Sequence, residues 1–185
     1  MTGVDLTPRS IEISRRHLTV YQQAGDFVLT DGEHLPFADE SFDVVYSNGV
    51  LHHTPDTAGA IQEIHRVLKP GGQTRVMLYH RTSIAYWVNI MLRYGILNAE
   101  LFRGLTAEEI MSRHVETTEN DARPLVKVYT RKQARTLFSM FSRVHVQVEQ
   151  LTRGDLHFLG RMTPETLLHR LGRIYGWNLV ITAFK

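Results

Sequence analysis

The chain has 185 residues, of which 43% are hydrophobic, so it is long enough for a globular domain with a core. Its net charge is +2, and its basic residues are scattered among acidic ones, which argues against nucleic-acid binding. The absence of cysteine excludes disulfides and zinc–cysteine sites and favours a cytoplasmic location. No apolar run reaches the roughly 18 residues of a spanning helix, so stable membrane insertion is not expected.

The first two predicted strands end on acidic residues. Gly3–Leu6 is typical of a strand end, and Thr7, followed by a proline, of a helix N-terminus. Phe27–Thr30 is a short buried strand that ends at Asp31. An acidic residue between a strand and a helix is where dinucleotide-binding folds hold ribose hydroxyls. A solvated residue before a turn is an equal alternative for Asp5.

A βαβ unit follows. Phe42–Ser47 is almost continuously apolar, which is expected of a central parallel strand. Asn48–Gly49 then crosses the top of the sheet, and a helix begins at Thr54–Asp56. Pro70–Gly72 is typical of a helix end, and Thr74–Tyr79 is the next strand. Ligands of open parallel sheets bind at the carboxyl ends of such strands.

The pattern changes between residues 81 and about 128, where we predict a helical insertion. One helix runs from Ser83 to Tyr94, and a capping box at Thr106–Glu109 begins a second. Asn120–Leu125 is predicted to be a loop. Three interpretations of the insertion stay open: ordinary core packing, a lid over an apolar substrate, or a membrane-touching face on Ile84–Leu92.

The C-terminal part contains two further strands. Thr130–Gln133 is a second capping box, and it begins a helix that continues to Phe141. Val144–Val148 alternates apolar and polar residues, which places this strand towards a sheet edge. A helix over Thr163–Leu171 precedes the last strand, Leu179–Phe184. The two terminal strands are close enough in the chain to pair antiparallel.

Other chemistries find little support in the sequence. His52 and His53 are adjacent, and neighbouring loop residues rarely converge on one ion; H-E-x-x-H is absent, so no metal site is expected. The G-x-S-x-G elbow of hydrolases and the Walker phosphate loop are absent too.

Five motifs, taken in order, resemble a known family. They are G-V-D-L-T-P at 3–8, D-G-E-H-L-P-F at 31–37, S-F-D-V-V at 41–45, V-L-H-H at 50–53 and R-V-L-K-P-G-G at 66–72. The chain is similar to class I S-adenosylmethionine-dependent methyltransferases of the type 11 kind, such as quinone-biosynthesis C-methyltransferases. The resemblance covers nearly the whole chain and is weakest in the insertion.

The resemblance implies one α/β domain over residues 1–185, with a Rossmann-like, mostly parallel sheet and an antiparallel C-terminal strand. It implies S-adenosylmethionine as cofactor and methyl transfer to a small, apolar or aromatic acceptor. The cofactor site would be formed by Asp5, Leu6, Asp31, Gly32, Glu33, Ser47, Asn48 and Leu51. In it, Asp5 would bind the ribose hydroxyls, Asp31 the adenine amino group, and Ser47 the methionine portion.

A general base is needed only where the acceptor must lose a proton. His52 is the first candidate and His53 the second, because an unperturbed imidazole titrates near neutral pH. A structural role in the loop is an equal alternative for His52.

One departure from the family pattern concerns the beginning of the chain. In nucleotide-binding folds a glycine-rich loop lies roughly 20 residues before the acidic strand end, whereas only Met1–Val4 precede Asp5. We therefore expect the first strand and its loop to be missing, and a homo-oligomer is one way to fill the gap. Two alternative functions stay open: an inactive, protein-binding module of this fold, and a nicotinamide-dependent oxidoreductase.

Overall fold

A computed structural model describes residues 1–115 and 124–185. These residues form seven strands: β1 (Thr2–Asp5), β2 (Asp26–Leu29), β3 (Phe42–Asn48), β4 (Leu68–His80), β5 (Val128–Tyr129), β6 (Arg143–Glu149) and β7 (Asn178–Phe184). They also form five α-helices: α1 (Pro8–Val20), α2 (Thr57–Val67), α3 (Ala107–His114), α4 (Arg131–Leu137) and α5 (Glu165–Tyr175). A π-helix spans Ala85–Leu97, and 3-10 segments span Leu51–His53, Leu101–Arg103 and Gly154–Arg161.

The strands form two sheets. β1 and β2 pair in parallel, and a five-stranded sheet has the order β3-β4-β7-β6, with β5 beside the end of β4. β3 is parallel to β4, whereas β7 is antiparallel to both β4 and β6. The predicted α/β fold with an antiparallel C-terminal strand is confirmed, as is the edge position of β6.

The core lies between the five-stranded sheet and two helices. Val76 and Leu78 of β4 are fully buried there, together with Ile61 of α2 and Phe138 at the end of α4. A second cluster, around Ile110 of α3, packs the π-helix onto the rest of the insertion. The insertion is therefore helical, as predicted, and has a small core of its own.

The helix starts follow the predicted side-chain caps. Thr7 caps α1 by accepting the backbone N–H of Ser10. Thr106 and Thr130 form reciprocal capping boxes with Glu109 and Gln133, respectively. Such caps satisfy N–H groups that the first helical turn leaves without partners.

The prediction that β3 is a central strand is wrong. Within the described residues β3 pairs only with β4, so its other edge is open. Val45 packs against the core, whereas Val44 and Tyr46 on the opposite face are 56% and 67% exposed. An apolar run shows that a strand suits burial, but it does not show which strands lie beside it.

The prediction for Pro70–Gly72 needs correction too. α2 ends at Val67, and residues 70–72 form an irregularity inside β4, where the register with β3 shifts. Gly71 has a φ of +77°, and a Cβ on Gly72 would lie 2.8 Å from the Lys69 carbonyl oxygen. Glycine is therefore required here, because Gly71 adopts a positive φ and the backbone at Gly72 lies close to the Lys69 carbonyl. The predicted loop Asn120–Leu125 lies partly outside the described residues.

Arg66 connects the loop after β2 to α2. Its guanidinium donates to the carbonyl oxygens of Leu35 (2.9 Å) and Phe37 (2.7 Å). It also pairs with Glu63 (2.7 Å) and Asp39 (2.7 Å), and these two carboxylates raise the pKa of Arg66 above its usual range. The Glu63 carboxylate in turn accepts the Leu35 N–H. The planar guanidinium bridges two carbonyls and two carboxylates at once, which an ammonium cannot do.

We expect Arg66→Lys to lower the free energy of unfolding by about 1–3 kcal/mol, because carbonyl groups of the loop lose their donor. Urea denaturation would measure it. Arg75→Lys is the matched control, since Arg75 lies on the surface with Glu149 4.0 Å away. Equal small effects for both variants would contradict the anchoring role of Arg66.

Candidate functional site

The pairing of β1 with β2 brings two acidic residues to one sheet edge. Asp5, the last residue of β1, is in register with Leu29, the last residue of β2. The Thr30 N–H also donates to the Asp5 carbonyl oxygen at 3.1 Å. Asp31 follows directly, so both carboxyl-bearing residues lie where the two parallel strands end.

Each of these carboxylates uses one oxygen for local structure. Asp5 Oδ1 accepts the N–H and the hydroxyl of Thr7, both at 2.8 Å. Asp31 Oδ1 accepts the N–H groups of Glu33 (3.0 Å) and His34 (2.7 Å). Two oriented acceptors at one edge suit ligand hydroxyl and amino donors, so they fit an adenosine.

The loop after β2 contacts the segment after β3. The Glu33 carboxylate accepts the backbone N–H of Asp56 at 2.7 Å. A Cβ on Gly32 would lie 3.7 Å from the side chain of Leu51, which is itself buried. The structure therefore brings Asp31, Gly32, Glu33 and Leu51 into one region.

The remaining predicted cofactor residues lie at neighbouring strand ends. Ser47 and Asn48 end β3, in register with Val76 and Met77 of β4. Leu6 follows β1 and is 69% exposed. In the described chain β1 and β3 are not hydrogen-bonded to each other. The position of Asp5 relative to Ser47 therefore depends on contacts of the loops, such as that between Glu33 and Asp56. The binding roles of all these residues stay predictions.

His52 is completely buried, which changes its chemistry. Burial lowers its pKa to about 3, and the nearby His53 contributes in the same direction. The Met77 carbonyl opposes this shift, yet neither ring nitrogen has a hydrogen-bond partner within the described residues. The ring is therefore neutral near pH 7, and the near-neutral pKa that made it a candidate base is absent.

His53 has a defined tautomer. Its Nδ1 lies 2.6 Å from the Leu125 carbonyl oxygen, which only accepts, so Nδ1 carries the proton. Nε2 is then the basic nitrogen of the neutral ring.

Four aromatic rings connect the loop after β3 to the insertion. Ring centroids lie 4.1 Å apart for His53 and His52, 3.9 Å for His52 and Tyr79, and 4.4 Å for Tyr79 and Trp177. The sequence analysis did not identify Tyr79 or Trp177 as site residues. Their positions could have indicated the site, because Tyr79 lies at the end of β4 and Trp177 just before β7. These two strand ends meet at one edge of the sheet.

Trp177 also lines a cavity of about 300 Å³ beneath the insertion. The lining residues are Ala85, Asn89, Ile90, His114, Val115, Gln150, Thr152, Asp155 and Trp177. Asp155 is oriented by the N–H and hydroxyl of Thr152, both at 2.7 Å, and Asn89 bonds His157 at 2.7 Å. Within residues 1–115 and 124–185, no group of three or more candidate ligands is arranged to hold a metal ion.

We expect His52→Leu to make folding stability less dependent on pH. The unfolded chain binds a proton at His52 near pH 6.5 and the folded chain only near pH 3, so native stability is lost as the pH falls through this window. The loss from this residue is about 1.4 kcal/mol per pH unit within the window. Urea titrations at about pH 7 and pH 5 would measure it. His145→Asn, on the exposed side of β6, is the control; a wild-type slope in His52→Leu would contradict the interpretation.

Part of the chain is similar in sequence to known methyltransferases. Residues 1–76 match the family described as Methyltransferase domain. A probable phthiotriol/phenolphthiotriol dimycocerosates methyltransferase of Mycobacterium ulcerans is 36% identical over 122 residues, which cover 60% of this chain and 46% of that protein. A demethylmenaquinone methyltransferase of Tropheryma whipplei is 34% identical over 96 residues, which cover 51% and 39%. The matched part of this chain thus spans less than half the length of either relative.

The fold is also similar to that of solved methyltransferases. A solved S-adenosylmethionine-dependent methyltransferase of Methanosarcina mazei superimposes with a TM-score of 0.60 at 17% identity, covering 100% of this chain and 81% of that one. At this identity the likeness shows the fold alone. With the family match and the two relatives, it shows that the chain is similar to methyltransferases in sequence over part of its length and in fold.

Proposed function

We propose that this protein transfers a methyl group from S-adenosylmethionine to a small acceptor with an apolar or aromatic body. The observation that carries the proposal is the pair of carboxylates, Asp5 and Asp31, at one sheet edge, each oriented by hydrogen bonds to its Oδ1. The family match of residues 1–76 supports it. A cytoplasmic location, favoured by the absence of cysteine, remains part of the proposal.

In this proposal Asp5 accepts hydrogen bonds from the ribose hydroxyls and Asp31 from the adenine amino group. Ser47 and Asn48 face the methionine portion, at the adjacent strand end. The cofactor supplies an electrophilic methyl group on a sulfonium. The protein then has to hold the acceptor in line with that group, so positioning contributes most of the rate.

The cavity lined by Trp177 is our candidate acceptor site, because it lies at the carboxyl edge of β4 and β6. A flat or apolar acceptor would pack on the indole, and Asp155 or Asn89 would bind its polar groups. Where the acceptor must lose a proton, His53 replaces His52 as the proposed base. Its Nδ1 donates to the Leu125 carbonyl, and Nε2, the nitrogen left to accept a proton, is buried in the structure.

Asp5→Asn should weaken binding of S-adenosylhomocysteine by about tenfold or more, since charge-assisted hydrogen bonds are worth roughly 1.5–3 kcal/mol. Asparagine keeps an oxygen for the Thr7 N–H and hydroxyl, so the start of α1 is preserved. Isothermal titration calorimetry would give both affinities.

Asp26→Asn is the matched control, because Asp26 begins β2 at the opposite end of the same strand pair. Its affinity should equal that of the wild type. Equal affinities for all three proteins would remove Asp5 from the site. Binding of a nicotinamide dinucleotide in place of S-adenosylhomocysteine would contradict the proposed function.

The open edge of β3 suits a further strand, and a second copy of the chain is the source that we propose. Val44→Lys places a charge on the exposed face of this edge strand and should shift the protein towards monomer. Sedimentation equilibrium would measure the change. A wild-type chain that is monomeric at every concentration would contradict this proposal.

A further inference from the structure

Apart from Arg93, the π-helix Ala85–Leu97 is largely apolar on its outer side as well as its inner side. Its buried side holds Tyr86, Ile90, Met91 and Gly95. The exposed side holds Trp87, Val88, Leu92, Ile96 and Leu97, of which Trp87 is 54% and Leu97 73% exposed. A helix that is apolar all round is ordinarily covered on every side or lies against a membrane.

A second exposed apolar segment adjoins this helix. His157 Nε2 bonds Asn89 Oδ1 at 2.7 Å, which joins the segment Gly154–Arg161 to the π-helix. Phe158, next in the chain, is 76% exposed, and Met162 is 82% exposed. We define the insertion surface as Trp87, Val88, Leu92, Ile96, Leu97, Phe102, Phe158, Leu159 and Met162.

The exposed charges on the two segments that form the insertion surface have one sign. Residues 85–104 and 154–162 are all described, and their exposed charged residues are Arg93, Arg103 and Arg161. The two acidic residues are engaged elsewhere. Glu100 pairs with His114 at 3.0 Å, and Asp155 accepts from Thr152. The insertion surface is thus apolar and aromatic with a basic border.

We propose that the insertion surface docks onto an anionic lipid bilayer. Trp, Phe and Leu side chains favour the boundary between headgroups and acyl chains, and arginines bind anionic headgroups. Charge complementarity selects this partner, because a second copy would bring the same three arginines face to face. No described helix is long and apolar enough to span a bilayer, so docking would be peripheral.

The cavity lined by Trp177 suggests how docking would serve methyl transfer. This part of the inference rests on the proposed function. Asn89 and Asp155, which come from the two segments of the insertion surface, both line it. Its contents therefore lie beneath the docked face. An acceptor with an apolar tail would keep the tail in the lipid while its polar head entered the cavity.

The test is co-sedimentation of the full chain with vesicles of equal parts phosphatidylcholine and phosphatidylglycerol. We expect the wild type to bind, and Trp87→Ser/Phe158→Ser to lose about tenfold or more in affinity. Both side chains are largely exposed, so the fold should tolerate the change. Val20→Ser/Tyr21→Ser is the matched control, since these residues are 75% and 73% exposed at the end of α1; it should bind like the wild type.

A triple variant, Arg93→Gln/Arg103→Gln/Arg161→Gln, separates charge from apolar contact. It should bind anionic vesicles as weakly as the wild type binds pure phosphatidylcholine. No vesicle binding by the wild type would overturn the proposal. So would a wild-type dimer that Trp87→Ser/Phe158→Ser dissociates without any lipid binding, because the occupant would then be a second copy.

Calorimetry with S-adenosylhomocysteine on the same samples keeps the two proposals distinguishable. Retained S-adenosylhomocysteine binding without vesicle binding overturns the docking alone. Vesicle binding without S-adenosylhomocysteine binding supports the docking and counts against the methyltransferase activity.

Discussion

The hydrogen bonding of β4 is the interaction on which the rest of the structure depends. β4 pairs in parallel with β3, antiparallel with β7 and briefly with β5, and its alternate residues Thr74, Val76 and Leu78 are completely buried. These pairings bring the end of β3 and the beginning of β7 to one edge of the sheet. The residues that end β3 and the indole of Trp177 belong to distant parts of the sequence, and they share that edge for this reason.

The cofactor half of the site is held differently. β1 and β2 form their own pair, and within the described residues no strand hydrogen bond connects them to β3. Side-chain contacts take over this role: Arg66 holds the carbonyls of the loop after β2, and Glu33 binds the Asp56 N–H. The position of Asp5 and Asp31 relative to the larger sheet therefore depends on a few charged side chains, such as Glu33 in the loop and Arg66 in α2.

The sequence predicted what is decided locally. The capping boxes at Thr106 and Thr130 were recognisable because both partners lie three residues apart. The apolar run of β3 alone predicted a central strand, because such a run reports burial but not neighbours, whereas the expected gap in the strand order agrees with its open edge. The loss of basicity at His52 was missed too, since it comes from packing by distant residues such as Tyr79. The cavity was invisible because its lining comes from segments that only the fold brings together.

The insertion shows why one interpretation of an apolar segment need not exclude another. Its inner side packs against Ile110 and Met111, which agrees with core packing. Core packing cannot explain the outer side, where Trp87 and Leu97 remain exposed. Exposed apolar area of this extent is costly in water, so a sequence retains it where something apolar covers it. The exposed charged residues of its two segments are three arginines, and a lipid surface satisfies both the apolar and the electrostatic requirement.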